Sequence, residues 1–125
     1  MNYLESAEDY LERILMLHKT SSIVRAIDIA NDMNYSKASV SIAMKKLKAK
    51  NLIEINEKTG NITLTHEGER VALAVFERHL VITSTLKSLG VSEEVAKKDA
   101  CKIEHDLSEE TFLALKKYYL ENLDK

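Results

Sequence analysis

The sequence of 125 residues has no proline, three glycines and one cysteine, and each shortage rules something out. With glycine confined to Gly60, Gly68 and Gly90, no stretch has the composition of a flexible linker, so two lobes in this chain are expected to be mechanically coupled. The lone Cys101 can form no intramolecular disulfide and suits a compartment that keeps thiols reduced. No apolar run approaches the roughly 18 residues of a membrane span, and the basic-then-apolar pattern of a secretion signal is missing. The expectation is a cytoplasmic protein with no membrane partner. A glycine-rich phosphate loop, a metalloprotease helix motif and a nucleophile–base pair are also missing, which sets an enzyme aside. Nor is there an excess of positive charge: the net charge of −2 is not that of a wholly basic nucleic-acid binder.

What is present is unevenly placed. From Lys37 to Lys50 the chain carries Lys37, Lys45, Lys46, Lys48 and Lys50 with no acid, whereas Glu5, Glu8, Asp9 and Glu12 crowd the start and Glu93, Glu94, Asp99, Glu104, Asp106, Glu109 and Glu110 the last third. One region attracts phosphate and the others repel it. Hydrophobic content of 45% against 30% charged residues describes a folded globular chain of one domain or two small lobes.

Periodicity divides the chain further. Ser6 is read as the cap of a helix over about 7–19, with Leu11, Ile14, Leu15 and Leu17 as its apolar stripe. Arg25 to Met33 reads as a short second helix with Ile27, Ile29 and Ala30 inward, and Asn34-Tyr35 as a turn. Ser36 then caps a third helix whose Val40, Ala43, Met44 and Leu47 recur at helical spacing. Residues 52–55 and 62–65 are short β-type runs around Gly60-Asn61, a hairpin signal. Helix, helix, turn, helix, hairpin is the order of a winged helix-turn-helix, whose third helix enters the major groove of double-stranded DNA. The candidate DNA contacts are Arg25, Ser36, Lys37, Ser39, Ser41, Lys45, Lys46 and the wing residue Lys58. A lysine-rich solvated face is the plainer reading of the same run.

Thr65 can cap a long helix to about Ser88, apolar around most of its circumference from Val71 to Ile82, which calls for a second contact surface. Helices over about 93–106 and 109–122 complete a helical dimerisation lobe. Phe112, Leu113, Leu115, Tyr118, Tyr119 and Leu123 belong to its core or its dimer interface. The expected fold is mainly α: a winged helix-turn-helix over residues 1–68, then an all-helical metal-binding and dimerisation domain over 69–125. In that second part Cys101, Glu104 and His105 stand at i, i+3 and i+4, one helix face and half of a transition-metal site.

Ala7-Glu8-Asp9-Tyr10-Leu11-Glu12-Arg13-Ile14, Ser36-Lys37-Ala38-Ser39-Val40-Ser41, Leu64-Thr65-His66-Glu67-Gly68, Arg78-His79 and the run from Ala100 to Ser108 together resemble the diphtheria toxin repressor and manganese transport regulator (DtxR/MntR) family. The likeness covers nearly the whole chain in order and matches the short, two-domain type without the SH3-like domain many members carry. It implies a homodimeric repressor of metal-uptake genes that binds operator DNA when loaded with Fe(II) or Mn(II). It also implies metal ligands at Asp9, Glu12, His79, Cys101, Glu104 and His105.

Residue by residue, other readings stand beside these: Asp9 in a capping box behind Ser6, Glu12 as surface charge, His79 as a satisfied core residue, Cys101 as a small buried hydrophobe. The implied donor set is a hybrid. Manganese-responsive relatives have a carboxylate where this chain has Cys101, and iron-responsive relatives a Met where it has Asp9. A thiolate favours Fe(II), Co(II), Ni(II) or Zn(II), the last three as surrogates, while carboxylates favour harder ions. Thr83 and Lys97 stand where the iron-type pattern places a Glu and a His of a second site. A two-metal cluster using Glu12, Glu104 and Cys101 is the manganese-type possibility. The alternative is a metal-independent winged-helix regulator in which Cys101 senses oxidation.

Overall fold

The computed structural model describes the backbone of residues 3–123 and the side chains of residues 7–123. Its elements run α1 (Tyr3–Leu17), α2 (Ala26–Met33), α3 (Lys37–Ala49), β1 (Ile53–Ile55), β2 (Ile62–Leu64), α4 (His66–Ser88), α5 (Glu93–Ile103) and α6 (Glu109–Asn122). They fall into two compact units, one up to Leu73 and one from Ala74 onward. The first is a winged helix-turn-helix and the second is the all-α dimerisation domain. Among the described residues no helix is long and apolar enough to cross a membrane.

In the first unit α1 begins at Tyr3, so Ser6 lies inside the helix and does not cap it. No glycine or proline interrupts residues 3–6, and Leu4, Ala7 and Leu11 continue the apolar period backwards, so a serine alone does not start the helix there. Asp9 is consequently well inside α1, which removes its reading as an N-terminal capping residue. The helix ends at Leu17, two residues earlier than expected, in a turn where Ser21 N donates to Leu17 O at 3.0 Å. Leu11 and Ile14 are buried against Val24, Ile29, Val40, Leu47, Ile53 and Ile62. Each such side chain is stabilised by roughly 1.5–3 kcal/mol on leaving water.

The turn between α2 and α3 is built from local chemistry. Asp28 Oδ2 accepts from Arg25 N at 2.8 Å at the start of α2. At its end Asn34 takes the left-handed conformation (φ 59°) that asparagine tolerates, and Tyr35 N closes back on Ala30 O at 3.0 Å. Ser36 Oγ accepts from Ser39 N at 3.1 Å and starts α3 as expected. The Tyr35 ring meets buried Tyr10 edge-on at 6.1 Å, which seats the turn against α1. Ile29 and Ala30 point inward, but Ile27 is only half-buried and lines a groove with Met44, Ile55 and Ile62.

The wing pairs Ile53 with Leu64, Glu54 with Thr63 and Ile55 with Ile62, antiparallel. Its strands are one residue shorter than the apolar runs because Leu52 O accepts from Thr65 N at 3.1 Å, outside the ladder, while Thr65 Oγ1 accepts from Gly68 N at 3.1 Å and caps α4. The wing is tied down rather than free. Ile62 N donates to Val24 O at 2.7 Å, Val24 N to Asn61 Oδ1 at 2.8 Å and Arg25 Nε to Thr59 O at 2.7 Å, and His18 Nε2 lies 2.6 Å from Ile62 O.

In the second unit Val81, Ile82, Ala96, Ala100 and Phe112 are buried, whereas Leu80, Leu89, Val95, Leu113, Tyr118 and Leu120 stay exposed. That exposed apolar surface belongs to the dimerisation domain, with Leu80 on α4, Val95 on α5 and Leu113, Tyr118 and Leu120 on α6. Gly90 (φ 100°) turns the chain out of α4, and Ser92 and Ser108 cap α5 and α6. Helix α5 stops at Ile103 rather than near residue 106, because Arg78 Nη1 donates to the carbonyls of Glu104 (3.2 Å) and Leu107 (2.9 Å), drawing the chain into a turn.

One position tests the packing of the wing unit. A Cβ on Gly68 would stand 2.0 Å from Leu52 O, a backbone atom that cannot rotate away. Gly68→Ala gains ~1 kcal/mol of helix propensity but incurs overpacking of ~1–3 kcal/mol, so a lower urea midpoint is expected. A midpoint equal to or above wild type would show that Leu52 yields.

Candidate metal centre and nucleic-acid interface

His79 comes from α4, Cys101 from the last turn of α5 and Glu104 from its C-cap. Glu104 keeps helical angles (φ −58°, ψ −26°) and its N–H donates to Ala100 O at 2.9 Å, so the i, i+3 register with Cys101 survives although the helix proper has ended. Glu104 Oε2 lies 2.9 Å from His79 Nδ1, and Cys101 Sγ lies 3.9 Å from the same nitrogen. One donor atom from each of the three residues falls within 4.8 Å of the others, a cluster able to hold a divalent transition-metal ion.

The electrostatics favour a cation. The Glu104 side chain is 0% exposed, and its Oε1 has no hydrogen-bond donor among the described residues, with His105 Nε2 3.5 Å away. A buried polar atom left without a partner costs ~1–3 kcal/mol, and more when charged. His79 is pushed up to about 10, by the Cys101 sulfur first and then by the Glu104 carboxylate, against the opposing effect of burial. At neutral pH the imidazole is therefore protonated and holds its positive charge between sulfur and carboxylate. A metal ion would put positive charge in the same place through nitrogen, sulfur and oxygen donors, and only after that proton has left. The residues present fit the group.

His105 is almost wholly buried beside Glu104, while Cys101 is exposed and is not the buried hydrophobe of the plainer reading. Asp9 and Glu12 lie one turn apart and partly buried on α1 in the first unit. Thr83, buried with no hydrogen-bond partner for its hydroxyl among the described residues, and exposed Lys97, 4.0 Å from Glu93, supply neither the carboxylate nor the imidazole of the iron-type second site.

On the other unit, Ser36, Lys37, Ser39, Ser41, Lys45 and Lys46 are all exposed along α3, and Lys58 is exposed at the tip of the wing. Ser36 Oγ donates to Ser39 Oγ at 2.9 Å, so both hydroxyls serve the helix start as well as facing solvent. Arg25 sits between α2 and the wing, its Nε held by Thr59 O, with Ser41 and Lys45 across a shared groove. Sequence reasoning missed the role of Arg78, quoted only as a neighbour of His79; no periodicity marks a residue that acts on carbonyls in another helix. It also missed Asn61 and His18, whose polar atoms reach backbone far away in sequence.

Residues 2–61 match the family described as iron dependent repressor, N-terminal DNA binding domain, and residues 65–124 match iron dependent repressor, metal binding and dimerisation domain. The chain is 38% identical over 112 residues to the transcriptional regulator MntR of Escherichia coli O157:H7, covering 90% of this chain and 72% of that protein. It is 33% identical to an uncharacterised HTH-type transcriptional regulator of Methanocaldococcus jannaschii, over 97% of this chain and 98% of that protein. Among solved structures it is similar to a manganese-dependent transcriptional repressor in complex with manganese, with a TM-score of 0.80 and 27% identity, over 87% of this chain and 50% of that one. ScaR with bound Zn2+ superposes with a TM-score of 0.74 and 28% identity, over 89% of this chain and 52% of that one. The chain thus spans about half the length of these solved relatives. Two domain families in the expected order, and relatives of this identity over most of the chain, make it a member of the DtxR/MntR family of metal-dependent, DNA-binding transcriptional repressors, a family of regulators and not of enzymes.

Proposed function

We propose that this chain, as a homodimer, binds Fe(II) or Mn(II) and in the loaded state binds double-stranded operator DNA through α3 and the wing, repressing metal-uptake genes. The observation that carries the reading is the buried, undonated Oε1 of Glu104 beside His79 and Cys101, in the same chain as a lysine-faced winged helix. In this reading Glu104, His105, Cys101 and His79 are ligands, and Asp9 and Glu12 join them on the strength of the family register. Cys101 draws the site toward Fe(II) and the carboxylates draw it toward Mn(II). The domain boundary of the proposal lies near residue 68, at the start of α4. A second reading has one observation in its favour: Cys101 is exposed with its sulfur beside a protonated imidazole, as an oxidation sensor requires. Anaerobic metal titration separates the two.

The first expected outcome is reciprocal coupling. With a DNA fragment selected from random sequence by the loaded protein, added Fe(II) or Mn(II) should raise DNA affinity, and DNA should raise metal affinity by the same factor. His105→Ala and Asp9→Ala should remove this coupling. Equal anisotropy titrations in chelator and in metal would end the proposal.

Proton release is the second. Because His79 holds its proton up to about 10, metal affinity should fall as pH is lowered through the neutral range. Calorimetry in buffers of different ionisation enthalpy should count the protons released, and His79→Ala should lower the count by about one. An unchanged count would place His79 outside the site.

At Cys101, Co(II) should give sulfur-to-metal charge-transfer absorption, and Cys101→Glu should shift the response toward Mn(II). Wild-type affinity and selectivity in Cys101→Ala would leave this residue out of the ligand set. On the DNA side, Lys45→Ala should weaken specific and nonspecific binding alike and reduce the slope of log K against log salt by roughly 0.9 per lost phosphate contact. An unchanged slope and affinity would show that Lys45 only faces solvent.

A further inference from the structure

Arg78 touches none of the donor atoms described above, yet it handles the backbone that carries one of them. Its Nη1 donates to Glu104 O at 3.2 Å and to Leu107 O at 2.9 Å, its Nη2 pairs with Glu109 Oε2 at 3.1 Å, and its guanidinium lies 5.0 Å from the centre of the Phe112 ring. The two carbonyls bracket His105. Glu104 O stands at the C-cap of α5, where carbonyls have no helical donor and a cation is favoured by the helix dipole, and Leu107 O lies in the turn before Ser108, the N-cap of α6. The side chain that satisfies them is only 20% exposed and precedes His79 directly in α4. The planar fork of the guanidinium suits this position, because one nitrogen can serve two carbonyls while the other meets a carboxylate, which the point charge of a lysine cannot reproduce.

We propose that Arg78 is a positioning residue of the metal centre: by clamping the carbonyls on either side of His105 to the helix that bears His79, it sets where the Glu104 and His105 side chains stand before an ion arrives. The arrangement explains two local features together. Helix α5 ends one residue before Glu104, and the Glu104 carboxylate is nevertheless aimed at His79, its other oxygen without a hydrogen-bond donor among the described residues. A loose turn would let that carboxylate swing out to water, because solvation would relieve the buried charge. The clamp holds it in place. Groups that support ligands in this way typically change metal affinity ~10–100-fold when removed.

The inference rests on the metal reading, and the test keeps the two apart. Wild type, Arg78→Ala, Arg78→Lys and Glu109→Gln would be titrated with Co(II) and Mn(II), with Co(II) absorption recorded and thermal unfolding followed in chelator. Wild type should bind; if it does not, the metal reading fails. Arg78→Ala should bind ~10–100-fold more weakly with altered Co(II) ligand-field bands, beyond any change in metal-free unfolding. Glu109→Gln, which removes only the outer ion pair, should bind like wild type. Arg78→Lys should remain weak despite keeping the charge, and it decides the matter if the alanine variant does not fold. Wild-type affinity and spectrum in the lysine variant, or in a folded alanine variant, would overturn the role of Arg78.

Discussion

A carboxylate held out of water needs compensation, and the helical unit is organised around the compensation of Glu104. One of its oxygens is met by the His79 imidazole and the other has no hydrogen-bond donor among the described residues, His105 Nε2 standing 3.5 Å from it, while its backbone carbonyl is taken by Arg78. An isolated buried charge is unfavourable enough that a protein either neutralises it or pairs it. Here the pairing brings together α4, α5 and the turn before α6, and leaves a nitrogen, a sulfur and a carboxylate oxygen converging on one point. His79 retains its proton far above the ordinary range of an imidazole because the Cys101 sulfur first, and the Glu104 carboxylate second, stabilise its charged form.

The winged unit obeys a different rule, in which backbone groups rather than charges are satisfied. A two-stranded hairpin is marginal alone, and this one is secured along β2 by Val24, Asn61 and His18. The lysines of α3 are left to face solvent because Val40, Met44 and Leu47 occupy the opposite side of the helix. Exposed positive charge and packing of the core are thus divided between two faces of one helix. Neither compromises the other.

The exposed apolar residues of α4, α5 and α6 mark the second unit as incomplete by itself. Leu80, Val95, Leu113, Tyr118 and Leu120 are each more than two-fifths exposed, an amount of uncovered apolar surface that fits a domain whose family dimerises. In the sequence these residues were indistinguishable from core. Periodicity reports that a side chain is apolar, not whether its own chain covers it.

Element order, the caps at Ser36 and Thr65, the turn at Asn34-Tyr35 and the lysine face were legible in the sequence, because each depends on residues within a turn or two of one another. Cys101 and Glu104 were legible for the same reason, their spacing being local. Ser6 misled because a serine is compatible with a helix interior whenever the apolar pattern continues past it. Only the tertiary structure decided the early end of α5, the approach of His79 to Glu104 across 25 residues of chain, and the clamp from Arg78. Those contacts join groups whose separation along the chain carries no period. They are selected by which carbonyl or carboxylate would otherwise be buried without a partner, and that is settled only when the helices pack.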